Sequence, residues 1–182
     1  MPFLALFTKI LPETEGMTMK DTPIRAAAFT GHRDLSQEEK LSLAEVLVPT
    51  VEALYREGIT TFYCGGALGF DTVAALTVLT MKTQYPALRL VLAIPCPEQS
   101  ARWSESDRAR YQSILARADE KVILCEHYTR FCMMLRNRYM VDHAEVLVAY
   151  MTRESGGTAS TVKYAKKKGL RLINLAESES AN

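Results

Sequence analysis

From Arg25 onward the chain alternates short apolar runs with longer segments in which apolar residues recur every three or four positions. The runs AAAFTG (26–31), TTFYCG (60–65), LRLVLAIP (88–95), KVILC (121–125), EVLVAY (145–150) and LRLINL (170–175) read as six strands. They are apolar on both faces, the pattern of strands buried between two layers in a parallel sheet. Parallel neighbours need crossover connections of a dozen or more residues, and the intervening segments are long enough to supply them as helices.

The helix ends are marked chemically. Ser36 followed by Glu39 is a capping box that opens the first helix, which turns Ala44, Leu47, Val48, Val51, Leu54 and Tyr55 to the core and stops near Gly58. Pro49 predicts a kink within it. A second helix follows GGALGFD, a third spans about 107–118, a fourth about 129–144, and a fifth opens at SGGT and ends at Gly169. Strand then helix, repeated with right-handed crossovers, gives an α/β fold: a doubly wound three-layer sandwich with a mainly parallel sheet of about six strands. Its ligand crevice is expected at the carboxyl ends of the strands, where the strand order reverses.

This places the domain at 24–176, with a tail over 177–182 and a flexible N-terminal extension over 1–23 that ends at the Thr22-Pro23 break. Phe3, Leu4, Leu6, Phe7 and Ile10 recur at roughly helical spacing, so the extension would also suit a short amphipathic docking arm. With 182 residues, 48% hydrophobic and 24% charged, the composition is that of one soluble domain. The 22 Lys+Arg against 21 Asp+Glu leave a net charge of +1, which argues against nonspecific attraction to nucleic acid or membranes. Cys64, Cys96, Cys125 and Cys132 form no CxxC pair, and His32, His127 and His143 lack metal-ligand spacing, so reduced thiols and no metal are expected. The stretch FLALF is short, has no basic residues before it and meets Lys9 at once. It fits neither a signal peptide nor a membrane span, and the expected location is cytoplasmic.

Chemistry concentrates at the predicted strand ends. The first strand runs into Gly31, His32 and Arg33, a flexible residue followed by two potential anion donors. The second ends in Cys64-Gly65-Gly66-Ala67-Leu68-Gly69-Phe70-Asp71, where backbone N–H groups can meet a phosphate and Asp71 can accept from a ribose hydroxyl or cap the next helix. After the fifth strand, Ser155, Gly156, Gly157, Thr158, Ser160 and Thr161 make another glycine turn rich in hydroxyls at a helix start. Neither turn has the spacing of GxGxxG or of a Walker A loop. Arg136 and Arg138 cannot share a helix face, so one at most points into the crevice, beside Asn137. Asp142 reads as a structural ion-pair partner and Lys166-Lys167-Lys168 as a solvated helix end. Above the third strand, Trp103 either stacks on a base while Gln99 reads its edge, or closes the core from above.

In order, GHR, GGALGFD, the P…EQ…W segment, LRNRYMVDHAEVLVAY and SGGTASTVKYA resemble the YpsA-like branch of the SLOG superfamily over roughly 25–175. The resemblance implies a Rossmann-like fold, related to DNA-processing protein A and to the lonely-guy phosphoribohydrolases, that binds nucleotides or derivatives such as ADP-ribose or NAD. The binding residues it implies are Gly31, His32, Arg33, Gly65, Gly66, Gly69, Asp71, Gln99, Trp103, Arg136, Asn137, Gly156, Gly157 and Thr158. The lonely-guy enzymes carry PGGxGTxxE with a catalytic glutamate and an arginine in the preceding helix. Arg136 matches that arginine, but Lys163 stands where the glutamate would be.

The expected function is therefore binding or sensing of a nucleotide ligand, with no cofactor required. Occupancy would signal to a protein partner, and the helices leave room for a homo-oligomer. The alternative is a nucleoside monophosphate phosphoribohydrolase or another N-glycosidase, in which Asp71 supplies the missing carboxylate alongside Arg136. Near-zero charge without a basic stripe weighs against the third reading, single-stranded DNA binding.

Overall fold

The small-residue run Ala26–Gly31 forms β1, an inner strand of the sheet in the computed structural model, which describes residues 24–178. Residues 1–23, read as an extension, and 179–182 of the tail lie outside the described residues. The elements follow as α1 (Gln37–Arg56), β2 (Thr61–Cys64), α2 (Phe70–Met81), β3 (Arg89–Ile94), α3 (Glu105–Arg117), β4 (Glu120–Ile123), α4 (Cys132–Asp142), β5 (Val146–Tyr150), α5 (Gly156–Lys168), β6 (Arg171–Asn174) and α6 (Leu175–Ser178). A 3-10 turn over Pro97–Ser100 precedes α3.

The sheet is six-stranded and parallel throughout, in the order β4-β3-β2-β1-β5-β6. The strands advance in one direction from β1 to β4; the chain then returns to the other side of β1. The reversal thus falls between β1 and β5, the place where a doubly wound sheet opens a crevice.

The two-residue period of the strands divides the core. Ala27 and Phe29 face α1, α2 and α3 together with Phe62, Leu90, Leu92 and Val148. Ala28 faces the opposite layer with Ala93, Leu147 and Ala149, against Met140 and Val141 of α4 and Val162 and Ala165 of α5. The Phe29 ring stacks on Phe62 at 5.6 Å and meets Phe70 edge-on at 6.2 Å, so the first turn of α2 is seated directly on β1.

The Ser36–Glu39 capping box is present, and α1 runs unbroken through Pro49, which is exposed. Its buried row is Leu43, Leu47, Val51 and Leu54, whereas Val48, expected inside, is 45% exposed and Ala44 half-buried. Leu43 and Val48 are five positions apart, about 140° around a helix, so one sheet face cannot take both. The leucine row fills the space better.

Candidate functional site

A cavity of about 390 Å³ opens at the carboxyl ends of β1 and β5, at the reversal point. Its walls come from the β1–α1 turn (Gly31, His32, Arg33), from Asp71 at the start of α2, from Arg136 and Asn137 on α4, and from Gly156, Gly157 and Thr158 at the start of α5. These expected site residues, distant in sequence, therefore share one space. Gly65, Gly66, Gly69, Gln99 and Trp103 are not in its lining.

The reason lies in how the β2–α2 turn packs. A Cβ on Gly31 would be driven into the Phe70 ring, and one on Gly65 into the Arg136 guanidinium and the Asp71 carboxylate. Gly69 sits against the backbone carbonyls of His32 and Arg33. In the direction a Cβ would take, each of these glycines meets its own protein, and of the three only Gly31 also borders the cavity. Gln99 is buried and its Nε2 donates to the carbonyls of Gly65 (3.3 Å) and Gly66 (3.2 Å), bracing the turn from behind. Trp103 meets Tyr111 edge-on at 5.2 Å, away from the cavity.

The β5–α5 turn is built in the opposite way. Cβ atoms added to Gly156 or Gly157 would meet nothing within 4 Å. Ser155 occupies the N-cap but makes no side-chain cap bond, so the first N–H groups of α5 are not capped from within. Of the hydroxyls expected to join them, Ser155 and Thr158 line the cavity while two turn away: Ser160 Oγ donates to the Gly156 carbonyl at 2.9 Å and Thr161 Oγ1 to the Gly157 carbonyl at 2.8 Å. Asn137 Nδ2 donates to Thr161 Oγ1 at 2.8 Å and so fixes α4 against α5. Thr158 is buried and faces the cavity.

Opposite that turn lies Arg136, 5% exposed, whose Nε and Nη1 have no hydrogen-bond partner. Its Nη1 is 3.5 Å from Asp71 Oδ2. That same oxygen accepts from the Ala67 N–H at 3.2 Å, so Asp71 ties the preceding turn rather than capping α2. Burial pushes the Asp71 carboxyl up and Arg136 draws it back; burial likewise lowers the guanidinium against the pull of Asp71. Arg138, on the other side of α4, lies over the Tyr164 ring at 5.4 Å. Asp142 pairs with Lys168 at 2.7 Å, and all three residues of the lysine run stay exposed at the end of α5.

His32 lines the cavity and is held by the backbone through one ring nitrogen. Its Nε2 accepts from the Thr152 N–H at 3.0 Å, which places the ring proton on Nδ1 and joins the two turns that flank the reversal. Burial, and secondarily Arg153, hold its pKa below the usual 6.5. Arg153 itself lines the cavity and was missed in the sequence, as were Asp34 and Met133. A basic residue three positions before a Gly-Gly helix start was the available signal for Arg153. Lys163 is exposed and outside the lining. Among the described residues, no group of three or more His, Cys, Asp or Glu could hold a metal, and no helix is long and apolar enough to cross a membrane.

The model of the YpsA family, described as the YspA SLOG family, matches residues 29–174. The chain is a YpsA-family SLOG protein. It is similar to the SPbeta prophage-derived protein YoqJ of Bacillus subtilis strain 168, with 32% identity over 140 residues, 70% of the chain and 82% of YoqJ. In structure this SLOG protein is similar to DNA processing protein A from Helicobacter pylori, with a TM-score of 0.58 and 19% identity, over 84% of the chain and 65% of that protein. It is also similar to the molybdenum cofactor binding protein of the phototrophic bacterium Rippkaea orientalis, with a TM-score of 0.52 and 17% identity, over 87% and 83%. At such identities the structural likeness speaks for the Rossmann-like fold alone.

Proposed function

We propose that this YpsA-family protein binds a nucleotide or nucleotide derivative, of the kind of ADP-ribose or NAD, through its phosphate, and acts as a sensor of that ligand. One observation carries the reading: the uncapped N-terminus of the 13-residue α5 opens into the same cavity as the buried guanidinium of Arg136, whose one ion pair is the 3.5 Å contact with Asp71. A helix N-terminus favours an anion through its free N–H groups and its dipole. The positive charge of Arg136, only partly offset by Asp71 at 3.5 Å, favours an anion in the cavity it lines. Arg33 and Arg153 add exposed positive charge to the same walls, matching a ligand with more than one negative charge. On the same fold, the Helicobacter neighbour binds single-stranded DNA and the Rippkaea neighbour a molybdenum cofactor.

Binding without turnover is favoured because Asp71 is engaged by Arg136 and the Ala67 N–H, and Lys163 lies outside the cavity. The test is thermal denaturation with AMP, ADP, NAD and ADP-ribose, followed by chromatography of each mixture for free base or nicotinamide. A ligand at about 100 Kd should add about 2.7 kcal/mol of stability, leave the ligand intact, and lose most of that gain in Arg136→Lys, which retains the charge but not the fork. Absence of stabilisation by every ligand refutes the reading; released base converts it to the N-glycosidase.

A further inference from the structure

A second trough of about 420 Å³ runs between α4 and α5 and shares Met133, Asn137 and Gly157 with the phosphate cavity. The two spaces are therefore neighbours at the start of α5. The chemistry of the trough differs from that of the cavity. Two arginines line it, and each is laid on an aromatic ring: Arg138 lies 5.4 Å from the Tyr164 centroid and Arg130 4.6 Å from that of Phe131. Tyr164 is itself anchored, its hydroxyl donating to Asp142 Oδ1 at 2.9 Å. Met133 and Met134 complete the lining, the latter 40% exposed.

We infer that this trough receives the base of the nucleotide whose phosphate is held at Gly156 and Gly157. The inference rests on the phosphate reading above. A guanidinium over a ring can offer its outer face to a second planar system, and thioethers make polarizable contacts with aromatic rings. Nucleobases are recognised by stacking on such planes. An acyl chain has no use for two guanidinium planes, and a simple anion has none for the methionines. The phosphate cavity is walled mainly by charge, with Arg33, Asp34 and Arg153; the rings that line it, Phe29 and His32, are themselves buried. Trp103, the other stacking candidate, packs on Tyr111.

The test compares AMP with ribose 5-phosphate, which keeps the sugar and phosphate and lacks the base, by titration calorimetry on the full chain. Arg138→Lys preserves the charge and removes the plane; Met134→Ser removes the thioether contact; both positions are exposed, so both variants should fold. Wild type should bind AMP at least about tenfold more tightly than ribose 5-phosphate, given the usual worth of one stacked base. Arg138→Lys should bring AMP to within about threefold of ribose 5-phosphate, with Met134→Ser intermediate. If wild type binds the two probes equally, or if both variants keep the wild-type ratio, the base is not in this trough and the inference is overturned while the phosphate site stands. If wild type binds neither probe, the phosphate reading fails and this one with it.

Discussion

Replacing Gly157 by alanine should make the protein more stable and a poorer binder, and the two effects can be separated by size. Gly157 is in the first turn of α5, its φ is not positive, and a methyl there meets no atom within 4 Å. In a helix, glycine costs about 0.5–1 kcal/mol relative to alanine, so the unliganded variant should gain about 0.5 kcal/mol, or some 1–2 °C in a domain of this size. The same methyl projects from the turn that borders the phosphate cavity and holds a ligand oxygen away from the backbone N–H groups. A tenfold loss of affinity corresponds to about 1.4 kcal/mol. At a ligand concentration of about 100 times the wild-type Kd, the stabilisation of about 2.7 kcal/mol in wild type then falls to RT ln 11, about 1.4 kcal/mol, in the variant. The order of stabilities therefore inverts: the variant leads by about 0.5 kcal/mol without ligand and trails by about 0.8 kcal/mol with it. Urea unfolding of both proteins, with and without the nucleotide that gives the largest shift, reads this directly. A variant destabilised in the absence of ligand, or one that gains as much from ligand as wild type, would refute the reasoning.

Two further outcomes follow from the same geometry. Gly31→Ala should lower stability by about 1–3 kcal/mol, because its methyl is driven into the fully buried Phe70 ring and α2 must shift to admit it; equal urea midpoints for wild type and variant would show that the seat of α2 is loose. His32 has a folded-state pKa below 6.5, so the unfolded chain takes up the proton first, and the stability its neutral ring supplies is complete above about pH 6.5 and lost as pH falls toward the folded value. His32→Gln can still accept from the Thr152 N–H and should flatten that part of the stability–pH curve; an unchanged slope between pH 7 and 5.5 would assign it to other groups.

The sheet, its parallel character and the crevice could be read from the sequence because they follow from strand-length apolar runs and strong stops, features carried by several residues at once. The capping box at Ser36 shows the same redundancy, since cap, acidic partner and following helix all agree. What the sequence could not separate was the reason for each glycine. Gly65 and Gly157 both stand in Gly-Gly turns at strand ends, yet Gly65 is fitted to Arg136 from a helix about 70 residues later, and Gly157 faces open space. The hold on His32 likewise went unread because its partner, the Thr152 N–H, is a backbone group with no signature of its own. Arg153 went unread since a single exposed arginine in a loop acquires meaning only from the cavity beside it.

The strand order also bears on how the chain folds. β1 to β4 can pair one after another, each joined to its neighbour by one crossover, while β1 keeps its other edge open until α4 has crossed back and delivered β5. Gly31 then comes into register with Tyr150, a closure spanning more than a hundred residues, which places it among the slower pairings. The cavity at the ends of β1 and β5 lies on that seam, so a partly made chain or an intermediate without β5 lacks it altogether. Ligand can act on the folding equilibrium only by trapping the last docking step, and until then the open edge of β1 is the segment most exposed to pairing with another chain.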